Sequence, residues 1–165
     1  MRRATMAILA GVLFSMVAGT ALAAPGEGDA ATKGTGNLAV EKLDSGDYSD
    51  LQRRRFVVAS SAADLSRVVG HKVPSAGKGT YLAACWGEKP TGGYSVRVAS
   101  ASKTGSGVSV SMRLKSPAPG AVTTQALTNP YTVVVVKDLD LRGKSFAFFA
   151  SDGRRLDWPL KRVRE

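Results

Sequence analysis

Proton transfer, nucleophilic attack and metal binding draw on imidazoles, thiols and carboxylates, and this chain is poor in the first two. His71 is its single histidine and Cys85 its single cysteine. A Ser-His-Asp arrangement would have to use His71, which sits in a loop with Pro74, Gly77 and Gly79 and reads as a solvated loop histidine. No serine lies in a Gly-x-Ser-x-Gly elbow. One His and one Cys do not make a closed zinc site. Asp138 and Asp140 have the ligand type for a hard cation, but two carboxylates in a turn read more simply as solvated loop residues. Gly77-Lys78-Gly79-Thr80 faintly resembles a phosphate loop. Glycine stands where Ser or Thr must follow the lysine, and a strand follows where a helix is required. The residues predict no catalytic centre, no metal and no cofactor, and so point to binding rather than to an enzyme.

The segment with the most defined local chemistry is Gly87-Glu88-Lys89-Pro90-Thr91-Gly92-Gly93-Tyr94. Pro90 fixes its own φ and forces Lys89 to be extended. Gly92 and Gly93 admit left-handed backbone angles. Either this is a tight connection between two strands, or it is a contact loop, with Thr91 and backbone amides as donors and Tyr94 as an aromatic anchor.

Strands must hold that loop. Arg55 to Ala59 is a β-branched and aromatic run, so a strand. Ser61 to Gly70 changes period: Leu65, Val68 and Val69 share one helical face, Ser60 or Ser61 caps the start, Asp64 suits the positive end and Gly70 stops the helix. Further strands are predicted over Tyr81 to Trp86, Tyr94 to Val98, Val108 to Lys115, Tyr131 to Lys137 and Ser145 to Ser151, with Arg154 to Trp158 pairing back. Thr104-Gly105-Ser106-Gly107 is a hairpin connection. Four consecutive valines, 133 to 136, predict a strand covered on both faces. Cys85, inside an apolar run, is predicted to be a buried, inert thiol. The sum is a mainly β (α+β) domain: an antiparallel, sandwich-like arrangement of about seven strands with one short helix.

At the N-terminus, Arg2-Arg3, an apolar run from Met6 to Val17 and the small-x-small triplet Ala21-Leu22-Ala23 have the make-up of an export signal over residues 1–23. Export by the general or the twin-arginine route fits. Residues 24–49 read as a flexible spacer rich in Gly and Ala, and residues 50–165 as the folded domain. The predicted location is secreted, periplasmic or within the cell envelope. The net charge of +10 is scattered, apart from Arg53-Arg54-Arg55 and Arg154-Arg155. It suits peripheral attraction to anionic envelope polymers, and no nucleic-acid module accompanies it.

Three segments also carry a resemblance. "CWGEKPTGGYSVRV" at 85–98, "VSVSMRLKSPAPG" at 108–120 and "TNPYTVVVVK" at 128–137 resemble the C-terminal domain of the protease complex subunit PrcB. The matching positions are Gly87, Pro90, Thr91, Gly92, Gly93 and Tyr94, with Asn129, Pro130 and Tyr131. The resemblance implies an exported, non-enzymatic accessory protein that associates with a surface or secreted serine protease and stabilises it. The expected protein-binding residues are Lys89, Pro90, Thr91, Gly92, Gly93, Tyr94, Asn129, Pro130 and Tyr131. Members are often lipoproteins, whereas here no cysteine lies near the predicted cleavage point. The Pro-Thr-Gly-Gly-Tyr loop is also reminiscent of a loop of chagasin-like cysteine protease inhibitors. The alternatives are therefore an inhibitor presenting Pro90–Tyr94, or a cationic envelope adhesion protein.

Overall fold

The computed structural model describes residues 36–163. The predicted export signal, and the spacer up to residue 35, lie outside the described residues. Among those described, nine strands and one helix follow in order: β1 Asn37–Leu38, β2 Val40–Gly46, β3 Arg55–Ala59, α1 Ala62–Val69, β4 Gly79–Cys85, β5 Ser95–Thr104, β6 Gly107–Lys115, β7 Tyr131–Lys137, β8 Ser145–Ala150 and β9 Leu160–Val163. No described helix is long and apolar enough to cross a membrane.

The strands form two sheets, ordered β1-β5-β6-β8 and β2-β7-β4-β3-β9. Alternation of side chains explains how they pack. In β6, Val108, Val110 and Met112 are buried while Ser109, Ser111 and Arg113 face away. The buried set meets Phe56, Val58, Leu82, Ala84, Val134 and Val136 of the five-stranded sheet to make the core between the sheets. The other parity of that sheet, including Val57, Tyr81, Ala83, Val133 and Val135, packs against Leu65 and Val69 of α1. The five-stranded sheet is thus the middle layer. This is why the valine run of β7 is buried along its whole length.

Helix α1 is closed at both ends as its sequence predicts. Ser61 Oγ accepts from the Asp64 amide at 3.1 Å and donates to Asp64 Oδ2 at 2.6 Å. Gly70 ends the helix in the left-handed region, φ +82°. The two-residue connection Gly105-Ser106 joins β5 and β6, with Thr104 paired to Gly107.

Two expectations are corrected. Residues 37–46 are strands rather than spacer, so the fold begins before Asp50. β2 has few apolar residues because it is an edge strand, paired on one side to β7 alone. The sheets are also mixed: β6 pairs with β8, and β3 with β9, in parallel. Between β6 and β8 the chain crosses to the other sheet as β7, and that excursion removes the hairpin geometry that would force an antiparallel return. Beyond the strands expected, β9 forms from Leu160-Lys161-Arg162-Val163, whose charge suits its place at a sheet edge. Arg154 to Leu156 does pair back, through Ala150 N to Arg154 O and Leu156 N to Phe148 O, both at 2.8 Å.

Candidate functional site

The two sequence motifs meet at one end of the sandwich. β4 runs out through Trp86, whose amide donates to Pro130 O at 2.9 Å. Gly87 then turns with φ +73°; a Cβ there would lie 2.8 Å from the Arg54 amide nitrogen. Lys89 and Thr128 exchange backbone hydrogen bonds at 2.7 and 3.0 Å. Thr128 Oγ1 donates to Thr91 O at 2.9 Å, and the Gly92 amide donates to Thr124 O at 3.0 Å. The Lys89–Gly92 arm is therefore paired with the 124–128 arm that leads into Asn129-Pro130-Tyr131. Of the two glycines expected in the left-handed region, only Gly93 takes a positive φ, at +83°. Gly92 is instead needed for closeness, since a Cβ there would meet Thr124 Oγ1 at 2.3 Å.

A small aromatic and cationic cluster sits on this end. The Trp86 and Tyr94 rings meet edge to face, centroids 5.6 Å apart. Lys89 Nζ lies 4.4 Å from the Trp86 centroid and 5.7 Å from that of Tyr94. Partial burial, and then the nearby Arg54 charge, lower the Lys89 ammonium pKa. Of the predicted contact residues, Pro90 and Gly93 are exposed, Lys89, Thr91, Tyr94 and Asn129 are half-buried, and Gly92, Pro130 and Tyr131 are buried. The Asn129 backbone N–H donates to Asp47 O at 2.6 Å, while its buried Oδ1 accepts no hydrogen bond from the described residues.

Sequence reasoning missed the apolar part of this surface. Among the described residues, the large apolar side chains left exposed are Tyr48 (67%), Val122 (103%) and Leu127 (61%). All three belong to segments pinned to the motif loops: Tyr48 follows the Asp47 carbonyl that holds Asn129, and Val122 and Leu127 flank the Thr124 contact with Gly92. The available signal was a large apolar residue inside turn-rich sequence: Tyr48 in one stretch, and Val122 and Leu127 in the connection between β6 and β7.

His71 is not simply solvated, as its loop suggested. Its Nε2 lies 2.8 Å from Asp44 Oδ2, the same oxygen that accepts from the Tyr131 hydroxyl at 2.9 Å. A bulge produces this arrangement. β2 shifts register between Lys42 and Asp44, so Asp44 stands opposite Val133, whose side chain packs in the helix-side core. Gly46 lies across from Tyr131, and the ring packs against it. The cluster ties β2, β7 and the loop after α1 together. Asp138 and Asp140 lie at the opposite end of β7, and Asp140 Oδ1 accepts from the Arg142 amide at 2.9 Å.

These ionisations predict a pH response. Burial raises the Cys85 thiol pKa to about 11, and burial with the Asp44 hydrogen bond raises that of Tyr131 to about 12. The two residues are cross-strand partners. Both neutral forms are favoured in the folded state, so their contribution is complete below the ordinary thiol range and is lost as pH rises through about 9 to 12. Burial raises the Asp44 pKa, but hydrogen bonds from Tyr131, His71 and the Ser45 amide outweigh it and leave it lowered. That contribution is lost as pH falls below the usual carboxylate value. Thermal midpoints measured across pH are therefore expected to fall at both extremes. Tyr131→Phe should blunt the fall above pH 10 relative to the parent.

A two-sheet β domain with a single helix, presenting paired loops at one end, is the class these features define. Residues 80–137 match the family model described as PrcB C-terminal, a stretch that takes in β4 from its second residue through β7 and both loop motifs, so this part of the chain is similar to that domain. No curated protein and no solved structure matches the chain.

Proposed function

We propose that this chain is an exported, non-enzymatic accessory subunit of a protease complex, and that it docks through the loop end of the sandwich. The family match supports a protease complex at the level of class. The observation that carries the docking surface is the grouping of Tyr48, Val122 and Leu127 around the paired motif loops. Scattered exposed apolar residues are ordinary, but these three stand in segments hydrogen-bonded to the loops that carry Lys89 and the Trp86–Tyr94 pair, and apolar, aromatic and cationic residues together have the composition of a contact patch. Lys89, Pro90, Thr91, Gly93, Tyr94 and Asn129 present groups to a partner in this reading. Gly92, Pro130 and Tyr131 hold the surface from beneath.

Export rests on Arg2-Arg3, the apolar run and Ala21-Leu22-Ala23. Protein recovered from the culture medium or envelope should begin just after Ala23. Docking is tested by co-purification from the same fractions, with a serine-hydrolase activity probe used to identify a protease in the captured material. Tyr48→Ser combined with Val122→Ser and Leu127→Ser should abolish recovery of the labelled protease while the thermal midpoint stays unchanged. A labelled protease recovered equally by the triple variant removes this surface from consideration. A captured protease that is less active with the subunit bound makes the chain an inhibitor.

A further inference from the structure

At the opposite end of the sandwich the surface has different chemistry. An open hollow of about 800 Å³ is lined by Ser60, Lys78, Asp140, Arg142 and Arg162, with Leu141 as an apolar wall. These residues come from four places in the chain: the β3–α1 junction, the residue before β4, the β7–β8 connection and β9. Because β4 starts at Gly79 and ends at Cys85, this hollow and the motif loops are separated by the strand's length, about 20 Å.

Charge decides what the hollow suits. Lys78, Arg142 and Arg162 form no ion pair among the described residues. The one acidic neighbour, Asp140, already has Oδ1 engaged by the Arg142 amide. The Arg162 guanidinium is held in place: it donates to Lys144 O at 2.6 Å and lies 5.6 Å from the Phe146 centroid. Three cations against one carboxylate leave an excess of positive charge that selects an anionic ligand. Two arginines offer the forked donors that match phosphate oxygens. The volume exceeds a bare ion and falls in the range of sites for small organic ligands.

We propose that this hollow is a binding site for a phosphate-bearing organic ligand, either a sugar-sized phosphomonoester or one unit of a phosphodiester polymer. The phosphate sits among Lys78, Arg142 and Arg162, and the organic part lies against Leu141. This site is independent of the docking surface.

The protein purified from the cells that make it should be titrated by calorimetry with glucose 6-phosphate, with poly(glycerol phosphate), and with glucose as the uncharged control, at physiological and at high salt. Saturable binding of one phosphorylated probe and none of glucose is expected. The Lys78→Gln, Arg142→Gln double variant, at exposed positions, should weaken that binding at least tenfold with an unchanged thermal midpoint. It should leave protease co-purification intact. Preference between the two probes assigns the source of the phosphate. Binding unchanged in the double variant, or equal weak heats from all three probes, overturns the proposal.

Discussion

Replacing Phe56 by alanine is expected to lower the free energy of unfolding by about 3–5 kcal/mol. Phe56 is fully buried at the middle of the fold. Its ring stacks on Phe148 with centroids 3.6 Å apart and planes 8° apart, and on Trp158 at 4.8 Å and 13°. Phe56 belongs to the five-stranded sheet and Phe148 to the four-stranded one, while Trp158 precedes β9. One side chain thus joins both sheets to the final segment. Its loss leaves a cavity among neighbours fixed by strand pairing, which limits collapse. Urea unfolding followed by tryptophan fluorescence checks this, with the m-value expected to stay constant. Phe56→Leu should cost clearly less. An alanine variant within 1 kcal/mol of the parent would mean that the ring stack is not where the sheets are joined.

Gly87→Ala should cost about 2–4 kcal/mol, combining left-handed strain with overpacking. The positive φ and the 2.8 Å approach to the Arg54 amide act on the same atom, and the obstacle is backbone, so a rotamer change gives no relief. The damage should concentrate at one end. Amides 88–93 are expected to exchange with solvent faster, since the Lys89–Thr128 and Gly92–Thr124 bonds depend on the direction in which the chain leaves Gly87. Core amides of β4 and β7 should change by no more than the global loss. Uniform acceleration instead would show that the loop is not a separable unit. Co-purification of the partner should weaken more in this variant than in Phe56→Leu.

The central elements were legible because periodicity and punctuation agree there. Arg55–Ala59 and Tyr131–Lys137 form the strands their residues predict, and Ser61 and Gly70 bracket the helix as their chemistry requires. The edges were not. β1, β2 and β9 carry the polar and charged residues that keep a sheet edge from pairing further, and such residues look like loop in one dimension. The loop motifs were visible, but their meeting was not. It depends on the Lys89–Thr128 bridge between positions far apart in the chain. The Asp44–His71–Tyr131 cluster was hidden for a similar reason, since only the bulge in β2 turns Asp44 towards the helix side.

The passage from β1 to β2 has a mechanical consequence. Ala39 alone separates a strand of one sheet from a strand of the other, and its carbonyl accepts the Lys137 amide at 2.9 Å. Tension applied at Gly36 would therefore meet two fasteners in series. The first holds by two residue pairs to β5, the second by six pairs to β7. Both lie at sheet edges, so each parts from one neighbouring strand only. The molecule should lengthen in two small, ordered steps under load before its interior strands part.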